Sequence, residues 1–392
     1  MRREIVIKGP ISPGQLVITG RLAIPLPTYA NLVARKKIDL QVKGPWPRHL
    51  PTPGNGKKTI GFSVLDLLRC ASRYFFIESW WAGQGDGWIL SMPIVEYMDS
   101  GTGIMRWKGG NSNVARWLSE MAGVAMACYL AEDMGACNII LGNSGSFGPD
   151  YRCDIFTKGR PHEVWFEAKG TTTFPIPTAT SKRAQKQIQP FKADPNVDGL
   201  AFYTFVQNPR YNFPSKVIIE DPEFNQEKRT TRFQADIASL ASALSWAGMA
   251  DIGQPLADTV VAKEHAKEKG NSIPEDAISR YSYRPVEETV DHLRAFVSKT
   301  WRSLSLVKEH AESLFGFQTI LTTLEGGMEL SVSVRPDNLL RLCRMVSERK
   351  EGDILKEAKD FYLYPIDVPI KAVENGEIST CPDGTALHLS RA

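Results

Sequence analysis

The sequence predicts an α/β protein with an α-β-β-β-α-β core, a β-rich N-terminal region and a mostly helical C-terminal region. Three observations lead to this prediction. Gly and Pro separate short apolar runs in the first part of the chain, and helix-like and strand-like periods alternate between Asn113 and Val206. After that segment the helical period prevails. The predicted regions are residues 1–110, 111–210 and 211–392.

The composition is that of a folded globular protein. The chain has 392 residues, of which 42% are hydrophobic and 23% are charged, which is enough for two or three domains with their own cores. Lys plus Arg total 47 and Asp plus Glu total 44, so the formal net charge is only +3. Bulk charge therefore identifies no polyanionic partner, and any basic surface has to be local.

The chain also lacks the sequence signals of membrane or secreted proteins. The longest apolar run in a helix-like stretch, Met121 to Ala131, has eleven residues, whereas about 20 are needed to cross a bilayer. The start of the chain has no apolar segment long enough for a secretory signal. Six cysteines without a C-x-x-C pair are typical of reduced, buried thiols. We therefore expect a cytoplasmic protein with no membrane partner.

The N-terminal region begins with strand-like segments and then changes period. Ser63 is placed to cap a helix that continues to about Trp81, because apolar residues recur there at helical spacing. The Gly-rich stretch that follows contains one predicted strand, from Gly87 to Met92. This stretch marks the boundary with the central region.

The central region contains six predicted elements in the order α-β-β-β-α-β. Each is delimited by its period and by Gly, Pro or polar residues at its ends. The predicted elements are a helix at Asn113–Met134, strands at Cys137–Leu141, Tyr151–Thr157 and Glu163–Lys169, a polar helix at Ser181–Phe191, and a strand at Leu200–Val206.

The C-terminal region contains amphipathic helical patterns. The predicted helices are Thr231–Met249, Pro285–Phe315 (as one or two helices) and Asp337–Arg349. No pair of acids of the kind described below occurs among them, so we expect this region to provide recognition or assembly. The pattern leaves open a homo-oligomer or a larger protein complex.

The chemically informative segment is the hairpin formed by the second and third strands of the central region. If its turn centres on Arg160-Pro161, Asp154 lies opposite Glu167. Side chains alternate along a strand, so Lys169 lies on the same face as Glu167. Adjacent carboxylates repel each other unless they share a proton or a divalent cation, and hard oxygen ligands suit Mg²⁺, with Mn²⁺ as an alternative.

A second aspartate on the same strand competes for this role. Asp150 has the same strand parity as Asp154, so both face the same side of the sheet. In the register above, Asp150 would lie opposite Thr171, beyond Glu167. That register favours Asp154 as the metal-binding aspartate, and Asp150 remains the alternative.

The arrangement resembles the PD-(D/E)XK nuclease superfamily, which has the restriction-endonuclease-like fold. The resemblance is carried by Pro149-Asp150, Asp154 and Glu167-Ala168-Lys169, placed on a hairpin between two helices, and it covers about Asn113 to Val206. It implies a Mg²⁺-dependent endonuclease that hydrolyses phosphodiester bonds of nucleic acid, with DNA as the expected substrate.

The resemblance also implies which residues form the site. Asp154 and Glu167 would be catalytic metal ligands and Lys169 a further catalytic residue. In the family an acid on the first helix often completes the site. Glu120 occupies that place, as the only charged residue between Arg116 and Glu132. Glu120 is therefore a further candidate for catalysis and metal binding.

The polar helix that follows the hairpin supplies local positive charge. Lys182, Arg183 and Lys186 lie within about one helical turn of one another. A basic face beside the acids is what a phosphodiester backbone needs in order to approach them. We therefore predict that these three residues bind nucleic acid.

The leading functional hypothesis is thus a metal-dependent nuclease, in a restriction, mobile-element or phage-defence context. The alternative is a nucleic-acid-binding or assembly subunit that retains the fold without cleavage. The presence of Asp154, Glu167 and Lys169 together favours the nuclease, because a site without chemistry would have no need of all three.

Overall fold

The computed structural model describes most of the chain, including the whole hairpin segment. The described residues are 2–6, 21–25, 27–44, 46–76, 87–99, 103–108, 112–142, 149–188, 197–207, 213–220, 232–263, 281–300, 316–324, 326–358, 361–366, 368 and 376–391.

The strands occur in the N-terminal, central and C-terminal regions alike. They are β1 (Arg2–Val6), β2 (Arg21–Pro25), β3 (Arg35–Lys43), β4 (Thr59–Ser63), β5 (Ala136–Leu141), β6 (Tyr151–Thr157), β7 (Arg160–Thr171), β8 (Val197–Phe205), β9 (Lys216–Glu220), β10 (Val261–Lys263), β11 (Tyr281–Tyr283), β12 (Phe317–Leu324), β13 (Met328–Val334), β14 (Glu377–Thr380) and β15 (Thr385–Arg391).

The helices are interspersed with these strands. They are α1 (Tyr29–Val33), α2 (Val64–Cys70), α3 (Gly87–Ser91), α4 (Pro93–Glu96), α5 (Ser112–Asp133), α6 (Thr178–Ile188), α7 (Arg232–Trp246), α8 (Ala250–Val260), α9 (Val286–Thr300), α10 (Asp337–Glu348) and α11 (Glu351–Glu357). The predicted cap at Ser63 is confirmed, since its hydroxyl accepts a hydrogen bond from the amide of Asp66. After α2 the chain continues as a π-helical turn, Ala71–Phe75.

A seven-stranded mixed sheet is the centre of the fold. Its strand order is β4-β3-β9-β8-β7-β6-β5. Strands β5, β6 and β7 form an antiparallel meander, and β8 returns through α6 to lie parallel to β7. The predicted order α-β-β-β-α-β is therefore observed as α5-β5-β6-β7-α6-β8. The first and third predicted regions contribute to the same sheet, through β3 and β4 and through β9.

Helices cover both faces of this sheet because successive residues of its strands point to opposite sides. Val164 and Phe166 of β7 belong to the large core that contains the apolar side of α5, including Met121. Trp165 belongs to a smaller core on the other face, where it packs with Ala184 of α6. Glu167 and Lys169 have the parity of Trp165, so the α6 face carries the candidate site.

The turn between β6 and β7 differs from the predicted one. It consists of Lys158 and Gly159, which both have positive φ values (51° and 76°), and its first ladder pair is Thr157 with Arg160. Such two-residue turns match the twist of the flanking strands. The predicted centre at Arg160-Pro161 is wrong, and the whole register shifts.

Two further predictions are corrected. The segment Gly87–Ser91 is helical rather than a strand, because a short apolar run does not by itself distinguish the two structures. The C-terminal region holds α7–α11 as predicted in kind, but it also contains an antiparallel sheet of order β12-β13-β15-β14. The part of the predicted helix after Thr300, residues 301–315, lies outside the described residues.

Buried ion pairs join distant parts of the chain. Arg69 on α2 donates to both carboxylate oxygens of Glu132 on α5 and to the hydroxyl of Ser379 on β14. Arg73 donates to both oxygens of Asp383, just before β15. All four charged side chains are at most 5% exposed, so these pairs fix the C-terminal sheet against α2 and α5.

Two observations bear on the predictions about membrane segments and cysteines. Within the described ranges, no helix has the length and apolar character needed to span a bilayer. All six cysteines are buried and carry free thiols.

Candidate functional site

Three charged side chains meet where β6 begins and β7 ends. The ladder pairs Tyr151 with Phe166, so Asp150, one residue earlier, is level with Glu167. The Lys169 ammonium contacts Glu167 Oε1 and lies 3.6 Å from Asp150 Oδ2. The predicted convergence of Glu167 and Lys169 is therefore observed, but the aspartate that joins them is Asp150.

Backbone hydrogen bonds hold the two carboxylates face to face. The amide of Asp150 donates to Glu167 Oε2 at 2.9 Å, and the amide of Ala168 donates to Asp150 Oδ2 at 3.0 Å. Each carboxylate is thus oriented by the strand opposite it. The Glu167 side chain is fully buried, whereas those of Asp150 and Lys169 are 33% and 23% exposed. The cluster is open to solvent on one side.

The pKa of Glu167 is raised by its burial and by the proximity of Asp150. Burial and the negative charge of Asp150 raise this pKa to about 8, although the Lys169 ammonium acts in the opposite direction. Burial disfavours the charged form of Lys169, but the carboxylates of Asp150 and Glu167 outweigh it and raise the pKa of Lys169. Lys169 is consequently a cation at neutral pH.

Asp154 lies elsewhere on the same face. It pairs with Glu163, not with Glu167, so the predicted juxtaposition of Asp154 and Glu167 is wrong. Its side chain is fully buried, at 3.9 Å from Arg152 and 3.4 Å from Arg232 at the start of α7. Four residues separate it along β6 from Asp150, or about 13 Å.

This second group of charges is an internal network. Arg152 donates to Glu163 at 3.1 Å, and Trp165 Nε1 donates to the other oxygen of Glu163 at 2.7 Å. Asp236 of α7 belongs to it as well, since burial and the charge of Asp154 raise its pKa well above the ordinary value. The ion pair between Asp154 and Arg232 therefore links α7 to the hairpin, whereas the charges of Asp154 and Asp236 repel each other.

The backbone of Glu120 lies close to the site, whereas its carboxylate makes an ion pair with Arg116 on the same helix. The carboxylate lies 3.2 Å from the Arg116 guanidinium, and the Glu120 side chain is about half exposed. Helix α5 touches β7 here: a Cβ atom on Gly170 would lie 1.6 Å from the carbonyl oxygen of Ser119, and one on Gly123 would lie 2.4 Å from the Gly170 amide. The pair of glycines brings the backbone of Glu120 next to the residue that follows Lys169.

The basic helix is α6, and it lies on the face that carries the site. Lys182 and Arg183 are exposed, and Arg183 is near enough for its charge to act on the pKa of Lys169. Lys186 belongs to α6 too, but its side chain lies outside the described part of the chain. Ala184 anchors the helix to the sheet through Trp165 and Tyr203.

The carboxylate oxygens of this cluster can be compared with the ligands that a divalent cation requires. In the described part of the chain, no three His, Cys, Asp or Glu side chains are grouped so that they could hold a metal ion. Mg²⁺, however, commonly takes only one or two carboxylates from the protein and completes its shell with water and phosphate oxygens. Asp150 and Glu167, each with one oxygen fixed by a backbone amide, fit that smaller requirement.

The sequence contained a signal for Asp150 that the predicted register obscured. Gly159 allows a two-residue hairpin turn, because such turns require positive φ and glycine adopts it readily. Centring the turn on Lys158-Gly159 makes opposite residues sum to 317, which aligns position 150 with 167.

The chain matches no family model, no curated protein and no solved structure, so its function has to be inferred from this site.

Proposed function

We propose that the protein is a metal-dependent nuclease that hydrolyses phosphodiester bonds of DNA. The observation that carries the proposal is the meeting of Asp150, Glu167 and Lys169 at the open end of one hairpin. The order of the core elements supports the resemblance to the PD-(D/E)XK superfamily, with Asp150 in place of Asp154 as the aspartate of the site.

The pairing of the two carboxylates is unfavourable without a divalent cation. Burial and the charge of Asp150 raise the pKa of Glu167, so the charged form of Glu167 is disfavoured even though the Lys169 ammonium contacts it. Asp150 and Glu167 would hold Mg²⁺ or Mn²⁺ as oxygen ligands. When bound, such an ion polarises a phosphoryl oxygen and lowers the pKa of a bound water.

Lys169 has a separate task in this site. Its ammonium group is charged, a quarter exposed and fixed beside both carboxylates. A cation in this position donates hydrogen bonds to a non-bridging phosphate oxygen or orients the attacking water, and it stabilises negative charge that develops on the phosphate. It remains protonated throughout.

Helix α6 would bring the substrate backbone to these groups. Lys182 and Arg183 are exposed on the side of the sheet that carries Glu167, and phosphate contacts of this kind position a nucleic acid without reading its sequence. The N- and C-terminal additions to the core are consistent with a restriction, mobile-element or phage-defence protein.

The proposal is tested with purified protein on plasmid and single-stranded DNA in Mg²⁺, Mn²⁺ or EDTA. We expect cleavage with either metal, none in EDTA, and none from Glu167→Gln, which removes a ligand charge at nearly constant shape. Glu348→Gln, a change at an exposed carboxylate on α10, serves as the matched control and should cleave normally.

A second measurement does not depend on activity. Because a ligand that binds only the folded state stabilises it, Mg²⁺ should raise the melting temperature of the wild type by about 2 °C and leave that of Glu167→Gln unchanged. A folded protein that binds DNA but cleaves none of it with either metal would support the non-cleaving subunit instead. A protein that neither binds nor cleaves DNA would contradict both.

A further inference from the structure

An exposed aromatic side chain lies at the same end of the sheet as the candidate site. Phe213, which precedes β9, is 49% exposed. Its ring centroid is 5.0 Å from that of Phe174, whose ring is in turn 5.2 Å from that of the buried Phe205. The rings of each pair are tilted by 43–49°, so Phe213 is the outer member of a group of three tilted rings that is anchored in the sheet.

The sheet register fixes the position of Phe205, the innermost of the three rings, relative to Lys169. Lys169 pairs with Tyr203, and two residues further along the same strands Thr171 pairs with Phe205. Side chains two apart share a face, so Phe205 points to the side that carries Glu167 and Lys169. The Cα atoms of Lys169 and Phe205 are therefore separated by about 8 Å, two residues along the strand and one strand across.

A lysine lies beside this group of rings. Lys216, the ladder partner of Phe205 on β9, has its ammonium 5.8 Å from the centroid of the Phe174 ring. Lys182 and Arg183 of α6 lie on the same face of the sheet. An apolar ring surface with cations beside it complements a flat base attached to an anionic backbone.

We propose that Phe213 stacks on an unpaired nucleobase next to the phosphodiester held at Asp150, Glu167 and Lys169, so that the substrate is single-stranded or locally unpaired DNA. This inference rests on the proposed nuclease function and specifies its substrate. Bases inside a duplex are stacked on their neighbours, and a side chain on the surface of a sheet reaches a base face only where pairing is absent.

The decisive experiment measures both binding and cleavage. Binding of fluorescent oligothymidylate is measured by anisotropy in EDTA, and cleavage of the same strand is measured in Mg²⁺. We expect Phe213→Ala to weaken single-strand binding by about 5- to 150-fold, the range that base–aromatic stacking provides, and to slow cleavage at low substrate concentration in proportion. Phe213→Trp should retain both, whereas Phe213→Leu, which keeps the apolar packing on Phe174, should lose both.

Tyr364→Ala is the matched control. Tyr364 is equally exposed, at 47%, and its neighbour Tyr362 packs on Phe156 at the opposite end of β6, about 20 Å from Asp150 along the strand. An oligonucleotide series with one abasic position provides a second control. One abasic position should weaken binding of the wild type and leave Phe213→Ala unaffected, and a matching RNA strand shows whether the sugar matters.

The outcomes separate the two proposals. Metal-dependent cleavage that is as fast in Phe213→Ala and Phe213→Leu as in the wild type, or that acts on duplex alone, overturns the stacking role and leaves the nuclease standing. Equal losses in Tyr364→Ala also overturn it. Absence of both binding and cleavage in the wild type removes the nuclease and this inference together.

Discussion

At the scale of single residues, Asp150 and Asp154 share one strand face but have opposite surroundings. Asp150 is a third exposed and faces Glu167 and Lys169, whereas Asp154 is fully buried beside two arginines. A partly exposed acid next to another acid is accessible to a metal ion from solvent. The fully buried Asp154 is not accessible in this way, and its charged neighbours are Arg152 and Arg232.

Asparagine at these two positions should therefore have different effects. Asp150→Asn should abolish cleavage and leave the melting temperature within a degree or two of the wild type. Asp154→Asn should lower the free energy of unfolding by about 1–2 kcal/mol, because the buried Arg152 loses one of its two acidic neighbours and keeps the other, Glu163, and the folded fraction should still cleave DNA. Urea denaturation and a plasmid assay measure both quantities. Loss of activity in a stable Asp154→Asn protein would restore Asp154 to the site.

The residue scale also shows what the sequence could predict. The sequence predicts that Glu167 and Lys169 share one face of the sheet, because side chains alternate along a strand whatever its partner strand is. The choice between the aspartates required the register, which depends on a turn of two residues. Lys158 and Gly159 adopt positive φ, a conformation that the Lys-Gly pair permits and that Arg160-Pro161, with its fixed proline φ, does not.

At the scale of elements, the contact between α5 and β7 positions the site. Gly123 on the helix and Gly170 on the strand allow the two backbones to touch, and a Cβ at Gly170 would overlap the carbonyl of Ser119. The strand that carries Glu167 and Lys169 is consequently held at a fixed distance from the helix that carries Glu120.

Gly170→Ala should separate this helix from this strand. We expect a loss of about 3 kcal/mol in unfolding free energy, because the clash involves backbone atoms that cannot rotate away, together with slower cleavage as Lys169 moves. Gly61→Ala on β4 is the control, since a Cβ there would meet its nearest atom at an ordinary 3.8 Å. Equal stabilities of the two variants in chemical denaturation would show that α5 can shift without cost.

Elements differed in how well the sequence predicted them. The core elements have long, clear periods, and their predicted bounds agree with the structure to within a few residues. The predicted C-terminal region contains no sheet, although Met328, Leu330, Val332 and Val334 of β13 alternate strictly with polar residues. That alternation is the pattern of a strand, so this sheet was open to prediction from the sequence.

At the scale of the whole molecule, buried charges connect parts of the chain that are far apart in sequence. Arg73 and Asp383 are 310 residues apart and are almost completely buried together. Arginine stays protonated, and its guanidinium holds the pKa of the Asp383 carboxyl well below the ordinary value even though burial acts in the opposite direction. The pair is therefore charged at neutral pH.

Asp383→Asn should cost about 3–5 kcal/mol of unfolding free energy, because it leaves Arg73 buried without a counter-charge. Glu377→Gln, which breaks the exposed pair with Arg35 in the same part of the fold, should change the stability by less than about 1 kcal/mol. Urea titration monitored by tryptophan fluorescence measures both. A small effect of Asp383→Asn would contradict a stabilising role of the Arg73–Asp383 pair.

The long separation between these partners has a consequence for synthesis. Asp383 is added 310 residues after Arg73, and the ribosome has made α2, α5 and the whole hairpin long before this counter-charge exists. During that interval Arg73 has to stay hydrated, which opposes closure of α2 and the π-helical turn over α5. Strand β7 rests on α5, so an unfinished chain would carry the acids and the lysine without the support that fixes them. The cluster of Asp150, Glu167 and Lys169 would thus gain its full support only after Asp383 has been made.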